Sequence, residues 1–293
     1  MQHSAQRNID HTHSGSLLVS AILEQDYATY PTPGDTVTSA TQLIFQALQR
    51  ITDDPTSLGT FQWETLYTDS YGAKYAQEVG LKYTDKDECK YTFQFASRMV
   101  PVWLARDPSL VQYSEAFEAL SCLEVQAMRI AEHLAIGFDN FNATLPNHQK
   151  YPGSLAEKVR LGTCITRGLR YPALLFGQAR PMLALGHFDR SFATPLWGST
   201  HPGLRVRRSS DGIMQSIRQS SQGVAVIVGE KFAAATRGMF GYGTYHDVKT
   251  EQTTDDRFAL VSFVHIADFP GDAQWLHEHL IEIQSLEHQF RAH

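Results

Sequence analysis

Cysteine is scarce in this sequence. Only three cysteines occur among the 293 residues, Cys89, Cys122 and Cys164, and no two of them have C-x-x-C spacing. An odd and widely spaced set predicts neither a disulfide framework nor a zinc site built from thiolates. The simplest interpretation is a protein of a reducing compartment.

Long apolar runs and an excess of positive charge are also absent. No run approaches the roughly 20 apolar residues that a membrane-spanning helix needs. Residues 1–16 are polar and lack the apolar region of a secretory signal. The net charge is −6, and the scattered Lys and Arg residues do not indicate the basic face that nucleic acid requires. We therefore expect a cytoplasmic protein with neither membrane nor nucleic-acid partners.

The first half of the chain shows helical and strand patterns in turn. Residues 37–53 carry apolar side chains at helical spacing, and residues 109–138 continue that spacing over a longer stretch, with Gly137 as the expected end. Between them, residues 60–100 contain the short runs FQWETLY and KYTFQFA, which predict strands separated by polar turns. Residues 1–16 predict a mobile tail.

The pattern changes after about residue 160. Short apolar runs such as GVAVIVG, KFAAAT and RFALVSFVHI predict several closely spaced strands of a β-sandwich or barrel. Residues 272–292 predict an amphipathic closing helix. The sequence thus predicts a mixed α+β protein in four parts. These are the tail 1–16, a helical and mixed region 17–160 packed on the core, an all-β core 161–270 and a C-terminal helix 271–293.

The pattern most informative about chemistry is His187-Phe188-Asp189, with His246 further along the chain. Side chains two positions apart on a strand face the same side, so His187 and Asp189 can bind one metal ion together. A histidine from a neighbouring strand completes a set of two imidazoles and one carboxylate, which leaves positions open for dioxygen and a co-substrate. Phe188 is expected to face away and join the core. The alternative is a hydrogen-bonded surface pair, since 13 histidines make a chance H-x-D pair expected.

The surrounding residues favour the metal site, because they resemble, in order, landmarks of the isopenicillin-N-synthase-like iron(II)/2-oxoglutarate oxygenases. The landmarks in this sequence are Arg170-Tyr171-Pro172, His187-Phe188-Asp189, Gly203-Leu204-Arg205-Val206, Gly229-Glu230, Thr236-Arg237-Gly238, His246 and Arg257-Phe258-Ala259. The resemblance implies a double-stranded β-helix, or jelly roll, as the core, with the N-terminal helices and the C-terminal helix packed around it. It also implies Fe(II) bound by His187, Asp189 and His246. The expected activity is that of a dioxygenase, which hydroxylates, desaturates or cyclises a small-molecule substrate with O2 and 2-oxoglutarate.

The resemblance also implies a co-substrate site at Arg257. In this family an arginine on the strand after the second histidine pairs with the far carboxylate of 2-oxoglutarate, and a planar guanidinium can hold a carboxylate through two parallel hydrogen bonds. The hydroxyl residue expected two positions later is Ala259 here, so Tyr171 on an adjacent strand is the candidate to compensate. Glu230 stands where the family usually has Asp, at an expected turn.

Three other functions stay open at this stage. Ala259 is compatible with an Fe(II) oxidase of the same fold that does not use 2-oxoglutarate. His11-Thr12-His13 could begin a TIM-barrel hydrolase that binds a divalent metal, although the preceding residues are polar and the β/α alternation of such a barrel is missing. A non-catalytic jelly-roll binding module is the third. The sequence identifies neither the substrate nor the oligomeric state.

Overall fold

The structure, a computed structural model, describes residues 11–31, 34–72, 75–84, 89–173, 182–217, 223–249, 255–267 and 270–292. The helices are α1 (His11–Gln25), α2 (Gly34–Asp53), α3 (Ser57–Thr60), α4 (Val100–Arg106), α5 (Ser114–Thr144), α6 (Leu155–Arg160), α7 (Glu230–Ala235) and α8 (Pro270–Arg291). The strands are β1 (Ala28–Pro31), β2 (Glu64–Tyr67), β3 (Gln77–Thr84), β4 (Lys90–Phe95), β5 (Thr163–Tyr171), β6 (Met182–His187), β7 (Ala193–Ser199), β8 (Leu204–Arg207), β9 (Met214–Ser216), β10 (Gly223–Val228), β11 (His246–Lys249) and β12 (Arg257–His265).

These strands form two antiparallel sheets. The larger sheet has the order β1-β10-β7-β12-β5-β4-β3-β2, and the smaller sheet has the order β6-β11-β8-β9. At the centre of the larger sheet, β5 and β12 pair along their whole length. The mixed α+β architecture predicted from the sequence is therefore confirmed. No helix in the described ranges is long and apolar enough to cross a membrane.

The two faces of β12 separate the hydrophobic core from the candidate site. Phe258, Leu260 and Val264 belong to the main core, on the side where α2 and α5 pack. Successive side chains of a strand point to opposite faces, so the residues between them face the other way. The side chains of that second set line a cavity; they are Arg257, Ala259, Val261 and Phe263.

Helix α5 extends beyond its predicted end at Gly137. The prediction that Gly137 ends the helix was wrong, because this glycine lies inside α5 where α1 crosses it. A Cβ atom on Gly137 would come within 2.4 Å of the carbonyl oxygen of Gly15 in α1. The missing side chain thus allows two helix backbones to touch, and the helix continues to Thr144.

The N-terminal tail predicted over residues 1–16 overlaps the first helix. Helix α1 begins at His11, so residues 11–16 are helical where a mobile tail was expected, and residues 1–10 lie outside the described residues. Leu18, Val19 and Ile22 are buried in the main core. Tertiary burial of this apolar face stabilises a helix that weak local propensity does not indicate.

The remaining predicted elements are mostly confirmed. The helices predicted at 37–53 and 272–292 are α2 and α8, and the runs FQWETLY and KYTFQFA contain β2 and β4. The strand predicted for KFAAAT was wrong, because these residues belong to α7 and its end. Three consecutive alanines favour helix, and all three are fully buried, so the apolar run is explained by helix packing.

Candidate active site

Strands β6 and β11 bring two histidines side by side. His187, the last residue of β6, is the register partner of His246, the first residue of β11. Asp189 follows two residues after His187, and its Oδ1 atom lies 3.6 Å from Nε2 of His187 and 3.7 Å from Nε2 of His246. The three potential ligand atoms lie within 4.8 Å of one another. Within the described ranges, this is the only such group of three or more His, Cys, Asp or Glu residues.

Each imidazole is oriented by a backbone carbonyl. The Nδ1 atom of His187 lies 2.7 Å from the oxygen of Leu185, and Nδ1 of His246 lies 3.1 Å from the oxygen of Thr244. A carbonyl oxygen can only accept, so Nδ1 is the protonated nitrogen in both rings. The lone pair of a neutral ring is then on Nε2, the atom that faces the cluster.

Asp189 is positioned by contacts from two segments. The Thr194 hydroxyl donates to Oδ2 of Asp189 at 2.7 Å, and the Ser191 hydroxyl lies 2.8 Å from that of Thr194. The backbone N–H of Glu230, at the start of α7, donates to the carbonyl oxygen of Asp189 at 2.8 Å. A Cβ on Gly229 would lie 2.4 Å from that same oxygen, so only glycine permits this close approach. These contacts leave Oδ1 facing the imidazoles.

The electrostatics of the cluster favour a cation. Burial opposes the charge of Asp189, yet the imidazoles of His246 and His187 hold the pKa of this carboxyl well below its usual range. Burial also opposes the charge of His187, but the hydrogen bond and charge of Asp189 outweigh it and raise the pKa of His187. For His246, burial prevails and lowers the pKa. A buried carboxylate with imidazole nitrogens beside it is a typical ligand set for a divalent transition metal.

A buried guanidinium lies in the cavity next to the cluster. This cavity has a volume of about 90 Å³ and is lined by His187, Asp189, His246 and Arg257, among others. Arg257 is 5% exposed, and its Nε donates to the carbonyl oxygen of His201 at 3.3 Å. Its Nη1 is buried and has no hydrogen-bond partner among the described residues. Because an unpaired buried donor is costly, this nitrogen is suited to an anion that enters the cavity.

Tyr171 lies beside Arg257, as expected from the sequence. The two residues are register partners on β5 and β12, and the Arg257 guanidinium lies 5.4 Å from the centre of the Tyr171 ring. Ala259 faces the same cavity without a hydrogen-bond donor. Ser199 pairs with Ala259 across β7 and β12 and also lines the cavity. The Ser199 hydroxyl donates to the carbonyl oxygen of His201 at 2.8 Å, the same oxygen that accepts from Arg257.

A second cavity, of about 280 Å³, meets the cluster at His187 and Asp189. It lies toward the His265 end of β12, whereas the first cavity lies toward Arg257. Arg167 and Phe263 line both cavities. The cluster of His187, Asp189 and His246 therefore opens into two spaces along one face of the larger sheet.

Phe188 packs away from the cluster, as predicted for the residue between two ligands. It is 5% exposed, and its ring contacts those of Tyr245 and Phe290. The hydrolase alternative expects His11 and His13 at the end of a strand, whereas both residues belong to helix α1.

Solved structures of other proteins share the fold of this chain. No family model and no curated protein matches this chain. A candidate oxygenase from Shewanella oneidensis is 19% identical over 91% of this chain and 94% of its own, with a TM-score of 0.62. A Neurospora crassa protein, solved with α-KG (2-oxoglutarate) and 5-formyluracil, is 16% identical over 89% of this chain and 83% of its own, with a TM-score of 0.60. AtDAO1, the Arabidopsis thaliana dioxygenase for auxin oxidation 1, solved with 2-oxoglutarate, is 11% identical over 90% and 91%, with a TM-score of 0.66. The chain thus has the fold of these oxygenases.

Proposed function

We propose that this protein is a non-haem Fe(II)- and 2-oxoglutarate-dependent oxygenase that oxidises a small molecule. The observation that supports this most strongly is one cavity that contains two complementary sites. The first is the cluster of His187, Asp189 and His246, whose ligand atoms lie within 4.8 Å of one another. The second is Arg257, whose buried Nη1 has no partner in the described ranges. A metal site beside a receptor for a carboxylate is the arrangement that such a co-substrate requires.

We infer that the two antiparallel sheets form the double-stranded β-helix of a jelly roll. The fold match to solved oxygenases supports this inference. The four-part division, with 161–270 as the catalytic core, stays a prediction. Strands β1 to β4 from the region 17–160 extend the larger sheet, which supports a single core with the N-terminal region packed on it. The cytoplasmic location also stays a prediction.

The three side chains suit Fe(II) both in their ligand type and in the way that their neighbours orient them. Imidazole nitrogens and a carboxylate oxygen match the preference of this ion, and three protein ligands leave further positions open. His187 and His246 present Nε2 because Nδ1 of each donates to a carbonyl. Asp189 presents Oδ1 because Thr194 binds Oδ2. Bound Fe(II) would supply the redox chemistry by which O2 and 2-oxoglutarate yield succinate and CO2, with the second oxygen atom used on the substrate.

Arg257 would hold the far carboxylate of 2-oxoglutarate. Its Nε already binds the oxygen of His201, which fixes the plane of the guanidinium. Its Nη1 has no partner among the described residues and would bind the co-substrate, and Tyr171 and Ser199 line the same cavity. Because the Ser199 hydroxyl already donates to the oxygen of His201, Tyr171 would take over the role of the hydroxyl that Ala259 lacks. The Neurospora crassa protein has also been solved with α-KG and thymine, which supports a small-molecule substrate.

Ala259 favours one second candidate, an Fe(II) oxidase of the same fold without 2-oxoglutarate. In that enzyme Arg257 would hold a carboxylate of the substrate itself. The two functions differ in the products that they form. Only the first converts 2-oxoglutarate to succinate.

The first test is succinate formation in air by the purified protein with Fe(II), 2-oxoglutarate and ascorbate as a reductant. We expect slow succinate formation without substrate, and none for Asp189→Ala, because two imidazoles alone bind Fe(II) weakly. Arg160→Gln is the control, since Arg160 is 58% exposed and pairs with Glu132 on the surface. Equal succinate formation by wild-type protein and Asp189→Ala would contradict the proposal. Iron binding without succinate would favour the oxidase.

A further inference from the structure

The cavity toward His265 contains more positive than negative side chains. Lys82, Arg167 and Arg190 line it, against Glu78 and Asp189. Asp189 is assigned to the metal, so the cavity that remains is cationic. We propose that Arg167 binds a carboxylate of the substrate in this cavity, which makes the substrate a small organic anion. This inference rests on the proposed function and adds the substrate class to it.

The position of Arg167 in the sheet places it between the two cavities. It pairs with Gln94 on β4 and with Val261 on β12. Arg257 lies four residues before Val261 on β12, which corresponds to about 13 Å along the strand. Arg167 and Tyr171 lie on the same face of β5 because they are an even number of residues apart. The sheet therefore carries two arginines at separate places along the site, and only Arg257 is needed for the co-substrate.

The contacts of Arg167 leave its charge without a carboxylate partner. Its Nε and Nη2 both donate to Oε1 of Gln94, the first at 2.7 Å. Its guanidinium lies 4.4 Å from the centre of the Phe263 ring. No Asp or Glu within the described ranges forms an ion pair with it. A cation held by one neutral acceptor and one ring, with no direct ion pair among the described residues, is pre-organised for an anion.

The positive charge of Arg167 acts on two other titratable groups in the cavity, Lys82 and His265. Burial lowers the pKa of Lys82, with Glu78 opposing this and Arg167 adding to it, so the cations repel one another. The Lys82 ammonium lies 4.0 Å from the centre of the Trp63 ring. His265 is 8% exposed, and its Nδ1 has no hydrogen-bond partner among the residues described. Burial and the nearby cations hold the pKa of His265 well below its usual value, so this imidazole is neutral and adds no positive charge.

The size of the cavity and its few apolar side chains limit the rest of the molecule. A volume of about 280 Å³ lies just below the roughly 300–1,000 Å³ typical of ligand pockets. Most of the lining is polar, and Trp63, Ile165 and Phe263 provide apolar and aromatic surfaces. A compact molecule with one carboxylate and a small aromatic or apolar body fits this lining. Arg167 would hold its charged end while the body lies near His187 and Asp189.

The test compares acids with their uncharged amides. Phenylacetate and benzoate are titrated against phenylacetamide and benzamide by anaerobic calorimetry, with the protein saturated by Fe(II) and 2-oxoglutarate. We expect each acid to bind wild-type protein at least about tenfold more tightly than its amide, which is the scale of one charge-assisted hydrogen bond. Arg167→Gln should abolish this preference, Arg167→Lys should restore part of it, and Arg160→Gln should retain it.

The visible charge-transfer band of the Fe(II)·2-oxoglutarate chelate distinguishes failure of the proposed oxygenase function from failure of the anion inference. Absence of this band in wild-type protein would refute the oxygenase function itself. With the band present, the anion inference is refuted by acids that bind no better than amides, by no binding of any acid, or by an unchanged preference in Arg167→Gln. Loss of the band in folded Arg167→Gln would also refute it, because Arg167 would then serve the co-substrate.

Discussion

Thr194 is not a ligand candidate, but it determines which oxygen of Asp189 faces the cluster. Its hydroxyl donates to Oδ2 at 2.7 Å. Thr194→Val keeps the shape and removes this donor. We expect Fe(II) affinity to fall about 10–100-fold, the usual effect of losing a partner that orients a metal ligand. Anaerobic Fe(II) titration measures this affinity. Thr194→Ser is the control, because it keeps the hydroxyl. Equal Fe(II) affinity of Thr194→Val and wild-type protein would show that Asp189 does not need this hydrogen bond.

Residue spacing predicted the candidate ligand set, but not its supports. His187 and Asp189 are two apart and His246 lies in a strand-like run, although β6 ends at His187 and Asp189 follows it outside the strand. Thr194 and Arg167 carried no such signal, because their roles depend on the register between strands distant in the sequence. The resemblance to a family supplied Arg257, and the structure adds its unpartnered nitrogen.

Helix α5 contains a buried carboxyl with a pH-dependent effect on stability. Glu124 is 8% exposed, and its Oε2 accepts from the N–H of Ser97 at 3.1 Å. Its Oε1 has no partner within the described part of the chain. Burial raises the pKa of Glu124 to about 7. The native protein thus binds this proton more tightly than the unfolded chain, where a glutamate titrates near ~4.3.

The stabilisation from protonated Glu124 is therefore fully present below about pH 4 and is lost as the pH rises to about 7. Glu124→Gln keeps the shape and the hydrogen bond from Ser97 but has no charge. We expect the free energy of unfolding of the variant, relative to wild type, to rise by about 2–4 kcal/mol between these pH values. Denaturant unfolding at several pH values measures it. A difference that stays constant with pH would contradict a buried, protonated Glu124.

The crossing of α1 and α5 gives a second test at the scale of elements. A Cβ on Gly137 would meet backbone atoms of Gly15, the nearest at 2.4 Å. Alanine normally favours a helix over glycine by about 1 kcal/mol, but overpacking here costs about 1–3 kcal/mol. We expect Gly137→Ala to lower the free energy of unfolding. Gly59→Ala in α3 is the matched control, since its Cβ would meet nothing within 4 Å; a stabilised Gly137→Ala protein would exclude a close crossing.

Helical periodicity located α2, α5 and α8, whereas the ends of elements depended on contacts. Glycine is a residue type typical of helix ends, but Gly137 lies inside α5 and allows α1 to approach closely. The run KFAAAT is apolar enough for a strand, and its alanines pack as a helix. Local sequence does not distinguish these cases, because the deciding neighbours come from elsewhere in the chain.

At the scale of the whole molecule, both halves of the chain build the site. Strands β3 and β4 from the N-terminal half extend the sheet that contains β5 and β12. Lys82 and Gln94 from these strands line the cavity toward His265, and Arg257 lies at the other end of the same face. The order of strands in the sheet is a long-range property, so the sequence indicated a β core without indicating which residues of the first half reach the cluster of His187, Asp189 and His246.

Anaerobic titration of the protein with Fe(II) and then 2-oxoglutarate tests the oxygenase function most directly. A saturable visible charge-transfer band is expected for wild-type protein, because under the proposed function 2-oxoglutarate would chelate a metal held by His187, Asp189 and His246. The band should be absent in His187→Ala, and in Arg257→Gln it should require more 2-oxoglutarate. Wild-type protein that binds Fe(II) but forms no band with 2-oxoglutarate would contradict the proposed function.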